Sequence, residues 1–330
     1  MTEMLVDNYN RTITYLRLSV TDHCNLRCQY CMPPGGVRKI AREEILRYEE
    51  FLRLVRVLIP LGIKKVRLTG GEPMVRRGIT EFIRSLRRID GLRAVCLTTN
   101  GTLLGEKIDE LYAAGINRIN ISLDTLDAQK YHVITTRPFW HKVWEAIEKA
   151  LSFGDVEVKL NVVVMKGIND DEIEAFARLA YKYPLQVRFI EFMPVGCGSR
   201  WSGDVYMPGA ECMERVRKVG DLLPLRHKED AGPAVVYTFA GAAGEIGFIN
   251  SISQSFCAFC NRMRITPDGQ LRMCLFSDDE LDVKKYLRSG MQDAELAGLI
   301  LKAVKQKPLE HAGYGRLIHQ CRRQMSQIGG

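Results

Sequence analysis

Long apolar runs are the first thing this sequence lacks. No stretch of about eighteen consecutive apolar residues, the length a membrane-crossing helix needs, occurs in its 330 residues. Residues 1–8 carry neither the charged head nor the apolar stretch of a secretory signal, so a cytoplasmic protein with no membrane partner is expected. Cysteine is too sparse for a disulfide scaffold, at 10 residues in the whole chain. Two local triplets are also the wrong grouping for one, so these thiols read as metal ligands in a reducing compartment. Acidic residues are outnumbered, 39 against 47 basic ones, for a net charge of +8. That surplus suits nucleic acid, an anionic small substrate or a solvated basic surface. Several cations sit inside apolar, strand-like runs and not in surface blocks, which favours the substrate. Hydrophobic residues make up 46% of the chain, enough for a large core in one α/β domain or one domain plus a smaller one.

The chain is organised around residues 16–31, an alternating strand that runs into Cys24, Cys28 and Cys31 with the spacing C-x3-C-x2-C. Met32-Pro33-Pro34-Gly35-Gly36 follows, which no helix or central strand tolerates. Three thiolates on one loop wrap a metal. A cubane iron–sulfur cluster fits best, because its four irons usually take four cysteines, and three leave one iron open to hold a small chelating molecule. The competing readings are a disulfide pair with a spare thiol, three buried structural cysteines, and a zinc site completed by His23.

Beyond the loop, periodicity alternates. Residues 43–61 have apolar positions at helical spacing and residues 64–69 read as a strand. Strand-like runs recur at 94–99, 118–124, 157–165 and 186–193, separated by helix-like runs at 80–88, 105–114, 139–152 and 171–183. Six βα units in succession imply a parallel sheet with right-handed crossovers, and six are too few to close an eight-stranded barrel. Nearly every strand ends in polar residues, among them Thr21-Asp22, Thr98-Thr99-Asn100, Ser122, Asp124, Asn161 and Glu191. Ligand contacts spread over many strand ends suit a barrel rim better than one switch point of a doubly wound sheet. The fold expected is α/β, a partial (β/α)6 TIM-like barrel, with a smaller α+β region after it.

At the second strand end stands Thr69-Gly70-Gly71-Glu72-Pro73, where two glycines allow close backbone approach to a ligand and a carboxylate can pair with an ammonium. Period-two alternation then puts Arg17, Arg67 and Lys159 on the faces that end in the polar rim, pointing into the barrel. Unpaired cations there would cost on the order of several kcal/mol each. A polyanion such as a triphosphate is the simplest compensation; pairing with a neighbouring acid or snorkelling outward is the alternative. Arg188 falls on the opposite parity to Glu191 and Met193 and ranks lower.

The rhythm breaks after Pro194, so the division expected is residues 1–195 and 196–330. The second part centres on Cys257-Ala258-Phe259-Cys260. An alternating strand follows, then a Thr266-Pro267-Asp268-Gly269 turn and a returning strand that carries Cys274, giving C-x2-C-x13-C. Zinc would need a fourth ligand, for which Cys212, Cys321 or His227 is available; a second cluster with an open iron is the other reading.

The first cysteine loop, with Tyr30 just before its last thiol, and the Gly70-Gly71-Glu72-Pro73 segment resemble the signature of the radical S-adenosylmethionine (SAM) superfamily. Within it the whole chain resembles the GTP 3′,8-cyclases, through the Thr98-Thr99-Asn100-Gly101 and Ser122-x-Asp124 rims, the second triplet with Arg262 and Arg264, and the terminal Gly329-Gly330. The resemblance implies a radical SAM barrel and a reductive cleavage of SAM to a 5′-deoxyadenosyl radical. It implies hydrogen abstraction from ribose C3′ of GTP, closure onto C8 and release of (8S)-3′,8-cyclo-7,8-dihydroguanosine 5′-triphosphate, the first step of molybdenum cofactor biosynthesis. The cofactors implied are SAM and two [4Fe–4S] clusters, one on Cys24, Cys28 and Cys31 and one on Cys257, Cys260 and Cys274, which turns the second triplet towards the cluster reading.

By the same resemblance Tyr30, Gly71, Glu72, Ser122 and Met193 contact SAM. Arg17, Arg67, Thr98, Lys159 and the segment Arg262, Met263 and Arg264 contact GTP, and Arg17, Arg262, Arg264, Gly329 and Gly330 act in catalysis. The partners implied are GTP, an electron donor and the cyclic pyranopterin monophosphate synthase that receives the product, with the chain a monomer or homodimer. A radical SAM enzyme acting on peptides would need a docking module for which the dozen or so residues before the first strand leave no room. A metal-stapled nucleic-acid binder would explain the charge but not the Gly-Gly-Glu-Pro turn or cations inside strands, so no nucleic-acid partner is expected.

Overall fold

A computed structural model of the chain describes residues 3–33, 35–196, 200–226, 232–311 and 321–329. The six expected strands are present as β1 (Tyr15–Ser19), β2 (Lys65–Thr69), β3 (Ala94–Thr99), β4 (Arg118–Ser122), β5 (Glu157–Val164) and β6 (Gln186–Glu191). Between them lie α1 (Tyr48–Leu58), α2 (Ile79–Arg87), α3 (Leu104–Ala113), α4 (Ala128–Thr135), α5 (Trp140–Leu151) and α6 (Ile173–Lys182). One crossover therefore holds two helices where periodicity shows one. Helix α4 starts at Asp127, whose carboxylate accepts from Lys130 N, but it has only a weak apolar stripe.

The later part of the chain adds α7 (Gly209–Arg217), β7 (Leu223–Pro224), β8 (Val235–Thr238), β9 (Glu245–Ile249), β10 (Arg262–Ile265), β11 (Gln270–Arg272), β12 (Leu281–Asp282), α8 (Val283–Arg288) and α9 (Asp293–Lys305). All twelve strands join one sheet in the order β12-β11-β10-β1-β2-β3-β4-β5-β6-β9-β8-β7. The run from β10 to β9 is parallel throughout, and antiparallel hairpins finish both edges. The sheet is not closed. Strands β9 and β10 come from beyond residue 195, so the later part flanks the six βα units on both sides and completes their inner wall.

The register builds that wall. Arg264, Arg17, Arg67 and Cys96 lie in one row across β10, β1, β2 and β3. Thr98, Asn120, Lys159, Gln186 and Glu245 form a second row, and Ser122, Asn161 and Arg188 stand in a third. On β5 the alternation is complete: Val158, Leu160, Val162 and Val164 are buried against the helices, and Lys159 and Asn161 turn inward. The outer faces pack on the helices through one core that includes Leu16, Leu18, Val66, Leu68, Ile119, Leu160 and Phe189. No helix among the described residues is long and apolar enough to cross a membrane.

Candidate active site

The loop that carries the first triplet leaves β1 over the Gly70-Gly71 turn. Gly71 N donates to Thr21 O at 2.8 Å and Glu72 N to His23 O at 2.8 Å. A Cβ on Gly70 would stand 2.5 Å from Thr21 O, and one on Gly71 would stand 2.6 Å from the His23 carbonyl carbon. The glycines thus serve contact between two backbones, where a ligand approach was expected. Glu72 also differs from expectation: it is fully buried, and its oxygens accept from Met74 N (3.0 Å), Asn100 N (2.7 Å) and the Thr99 hydroxyl (2.9 Å). It ties the turn to the end of β3. Burial with no cation beside it raises its pKa to about 7.

Cys24, Cys28 and Cys31 are free thiols. Arg27 N and Gln29 N donate to Thr135 O and Ile134 O, both at 3.0 Å, which fastens the loop to the end of α4. Asn100 Nδ2 reaches Cys24 Sγ at 3.7 Å. Burial raises all three thiol pKa values, and for Cys28 and Cys31 the neighbouring thiols add to it; Cys31 reaches about 12. A bound metal centre supplies the positive charge that lets such thiols ionise, so the donor set fits an iron–sulfur cluster. Tyr30 packs edge-on to Phe192 and its hydroxyl meets Asp124, a buried carboxylate raised to about 6 that also accepts from Val163 N at 2.9 Å. Ser122 ends β4 opposite Asn161.

Inside the sheet lies a cavity of about 410 Å³. Arg17, Arg67, Thr98, Lys159, Arg262 and Arg264 all line it, as do Met193, Cys257, Cys260 and Cys274. The structure therefore brings the second triplet onto the expected cationic wall. Met263 is the exception: it is fully buried in the core, opposite Leu16, and turned away from the cavity. Arg188 is the converse. Glu191 is 3% exposed on the outer face, accepting from Gly209 N at 2.7 Å at the start of α7 and from Ile252 N at 2.7 Å after β9. The opposite parity of Arg188 consequently faces inward, and Arg188 lines the cavity with Gln186 and Ile190. Gly247 on β9 stands opposite and leaves room for it; a Cβ there would lie 3.2 Å from Arg188 Cγ.

Among the described residues, nine cationic side chains and two carboxylates line the cavity. Lys159 pairs with Glu157 and Arg188 donates to Gln186, so neighbours answer part of the charge. Even so, burial lowers the pKa of Lys159 to about 8 and those of Arg17 and Arg188 to about 10, and neighbouring guanidiniums add to the effect. Arg264 is lowered well below the usual value by burial, then by Arg17 and Arg262. Tyr15, missed from sequence although it shares the parity of Arg17, accepts from Arg67 Nε at 2.5 Å. Its phenol titrates at about 8, because Arg67 and Arg17 outweigh its burial. This field is arranged for a polyanion.

At the second triplet, Arg262 lies over the Phe256 ring at 4.6 Å. Arg262 and Lys307 draw the Cys260 thiol down to about 6 against the burial that raises it. The two described candidate zinc ligands do not join this triplet. Cys212 is buried on α7 with Val164 and Phe189, and the Cys321 thiol lies by Arg272 and the carbonyls of Leu275 and Arg323. His227 is outside the described residues. Among the described residues neither triplet closes on a single-ion site.

The tail returns to this cavity. Met325–Ile328 forms a short helical turn, and Ile328 packs in a small cluster with Val195 and Phe276, bordered by Met193 and Cys274. Gly329 O accepts from Arg264 Nη1 at 2.6 Å. Gly330 is outside the described residues.

Residues 18–180 match the radical SAM superfamily and residues 185–313 match Molybdenum Cofactor Synthesis C. The chain is 48% identical over 328 residues to the GTP 3′,8-cyclase of Pelotomaculum thermopropionicum, covering 98% of this chain and 99% of that protein. It is 48% identical over 326 residues to the GTP 3′,8-cyclase of Thermodesulfovibrio yellowstonii, with 98% and 99% covered. In fold it is similar to Streptococcus suis SuiB bound to S-adenosylmethionine, with a TM-score of 0.62 and 15% identity over 88% of this chain and 69% of that one.

Proposed function

The chain belongs to the GTP 3′,8-cyclase family of radical SAM enzymes, and from that premise we propose that it converts GTP to (8S)-3′,8-cyclo-7,8-dihydroguanosine 5′-triphosphate in molybdenum cofactor biosynthesis. The observation that carries this reading is a cavity in which strand-borne arginines and lysines lie with the second cysteine triplet. Membership of the superfamily implies a [4Fe–4S] cluster and SAM. Cys24, Cys28 and Cys31 would hold that cluster, which supplies the electron that cleaves SAM.

The division of the remaining work is our reading. Tyr30, the Gly70-Gly71 turn, Ser122 and Met193 would frame SAM, with Glu72 fixing the turn from behind. Arg17, Arg67, Lys159 and Arg188 would hold the triphosphate, with Thr98 beside Arg67 (3.3 Å) and Tyr15 orienting both Arg17 and Arg67. Cys257, Cys260 and Cys274 would carry a second [4Fe–4S] cluster at the purine end. Arg262, Arg264 and the Gly329-Gly330 tail would close the site over the sugar. Residues 1–195 form the SAM-cleaving part in this reading and 196–330 the substrate end. An external electron donor in the cytoplasm, and the cyclic pyranopterin monophosphate synthase downstream, complete the reaction's surroundings. The test is anaerobic incubation of reconstituted protein with SAM, a reductant and GTP, followed by mass analysis of the nucleotide. Formation of 5′-deoxyadenosine with no change in the GTP would defeat the assignment.

A further inference from the structure

Two cations that do not line the cavity hold the backbone around the second cysteine triplet. Arg11, 7% exposed, donates from Nη1 to Cys257 O (2.6 Å) and Leu309 O (2.8 Å), and from Nη2 to Pro308 O (2.6 Å). Its Nε is fixed by the Asp7 carboxylate at 2.6 Å. Lys307, 3% exposed, bridges the two strands of the hairpin, donating from Nζ to Arg262 O at 2.9 Å and Met273 O at 2.6 Å. One cation thus grips the first cysteine by its own carbonyl. The other grips the backbone two residues after Cys260 and one residue before Cys274. A buried ammonium answered, among the described residues, by carbonyls is costly, and this one sits beside the triplet, just past the β10–β11 ladder that pairs Arg264 with Arg272 and Ile265 with Leu271.

We propose that Arg11 and Lys307 form a two-cation brace that sets the spacing of the three thiols and offsets the negative charge of the cluster they hold. They are positioning residues. The inference rests on the reading that this triplet carries a second cluster, and it adds the residues that make the triplet a preformed receptor. It also explains why the N-terminal segment is tied to a site some 246 residues away in sequence. Partners that orient metal ligands typically contribute about 10–100-fold to metal retention.

The test reconstitutes the full chain anaerobically as wild type, Lys307→Met, Lys307→Arg, Arg11→Lys and the Cys257→Ala/Cys260→Ala/Cys274→Ala variant. Iron loss to a chelator is followed by visible absorbance and electron paramagnetic resonance, with thermal melting alongside. Lys307→Met should lose the second cluster's iron about 10–100-fold faster than wild type, with the first cluster's rate unchanged and Lys307→Arg in between. If Lys307→Met fails to fold, Arg11→Lys carries the same comparison, because it keeps the charge beside Asp7 and loses the fork that reaches Cys257. Equal iron loss from wild type and the folded variants, with or without a lower melting temperature, overturns the brace while the triple-cysteine variant's missing iron keeps the second cluster. Full iron in the triple-cysteine variant removes the second cluster and the brace together.

Discussion

Substitution of Gly329 by alanine isolates the docking of the tail with the smallest possible change. Gly329 has φ +72°, a region that costs an L-residue about 1–2 kcal/mol. Its carbonyl accepts from the buried Arg264 guanidinium at 2.6 Å, and a hydrogen bond from a charged donor contributes about 1.5–3 kcal/mol. The added methyl would sit 2.9 Å from Ser19 Cβ and within contact of Thr69 Oγ1, both on rigid strand ends, so the tail must lift for it to fit. Together these costs reach about 3–5 kcal/mol, which shifts the docked population by roughly two to three and a half powers of ten at about 1.4 kcal/mol per tenfold. The assay is quantification of cyclic product and of 5′-deoxyadenosine in the same reaction, with carboxypeptidase digestion reporting tail release. Gly329→Ala should lose cyclic product by about a hundredfold or more, keep its iron and release its tail faster. Product formation at the wild-type rate would show that the bond to Arg264 does not position anything the reaction needs.

Alanine at Cys24, Cys28 or Cys31 should abolish 5′-deoxyadenosine formation, and persistence of SAM cleavage in any one of the three would refute that ligand. Alanine at Cys257, Cys260 or Cys274 should lower iron from about eight to about four per chain and stop cyclisation while some uncoupled SAM cleavage continues. GTP should bind far more tightly than guanosine at fixed ionic strength, and Arg188→Met should narrow that gap; equal affinities would remove the polyanion site. Binding should also weaken as pH rises through about 8, where Lys159 loses its charge and Tyr15 gains one beside Arg17 and Arg67. The sign is the reverse for ligand-free stability: Lys159 is lowered on folding, so below about pH 8 its buried charge opposes folding, and that penalty is relieved as pH rises towards its unfolded value. Calorimetric titration of GTP into wild type and Lys159→Met across that range decides the matter, and a flat profile for the wild type would count against it.

The six βα units were legible because local periodicity switches between two and 3.6 residues, and the cation-bearing faces of β1, β2 and β5 followed from parity alone. Both cysteine triplets were legible from spacing. What failed depended on partners distant in sequence. Strand β10 read as a local hairpin piece and β9 was not read at all, since nothing in a four- or five-residue run says that it will pair in parallel with β1 or β6. Arg188 was ranked low because Glu191 was taken as a rim acid, when its carboxylate is used by Gly209, Ile252 and Ser253 outside the sheet. Glu72 was given a ligand's ammonium, whereas its oxygens accept from Met74 N, the Thr99 hydroxyl and Asn100 N. Both errors have one cause: a carboxylate at a strand end can serve the backbone as readily as a ligand, and only the hydrogen-bond inventory distinguishes the two.

That inventory also explains why the last residues of the chain sit where they do. Arg323 forks onto Asp268 at 2.9 and 3.0 Å and reaches Glu280 at 2.7 Å, and Gln324 packs on Gly196, so the tail is fixed before it reaches the cavity's Arg264. From there the Ser326 amide reaches the Cys31 thiol, Ile328 packs near Met193 and Cys274, and Gly329 ends on Arg264. One helical turn therefore touches the first triplet on one side and the arginine wall beside the second triplet on the other. A segment held only for stability would bury its apolar face and stop. This one spends backbone donors and acceptors on a cysteine and a cavity arginine, and a positive φ at its last described residue brings it into a space that no side chain would fit.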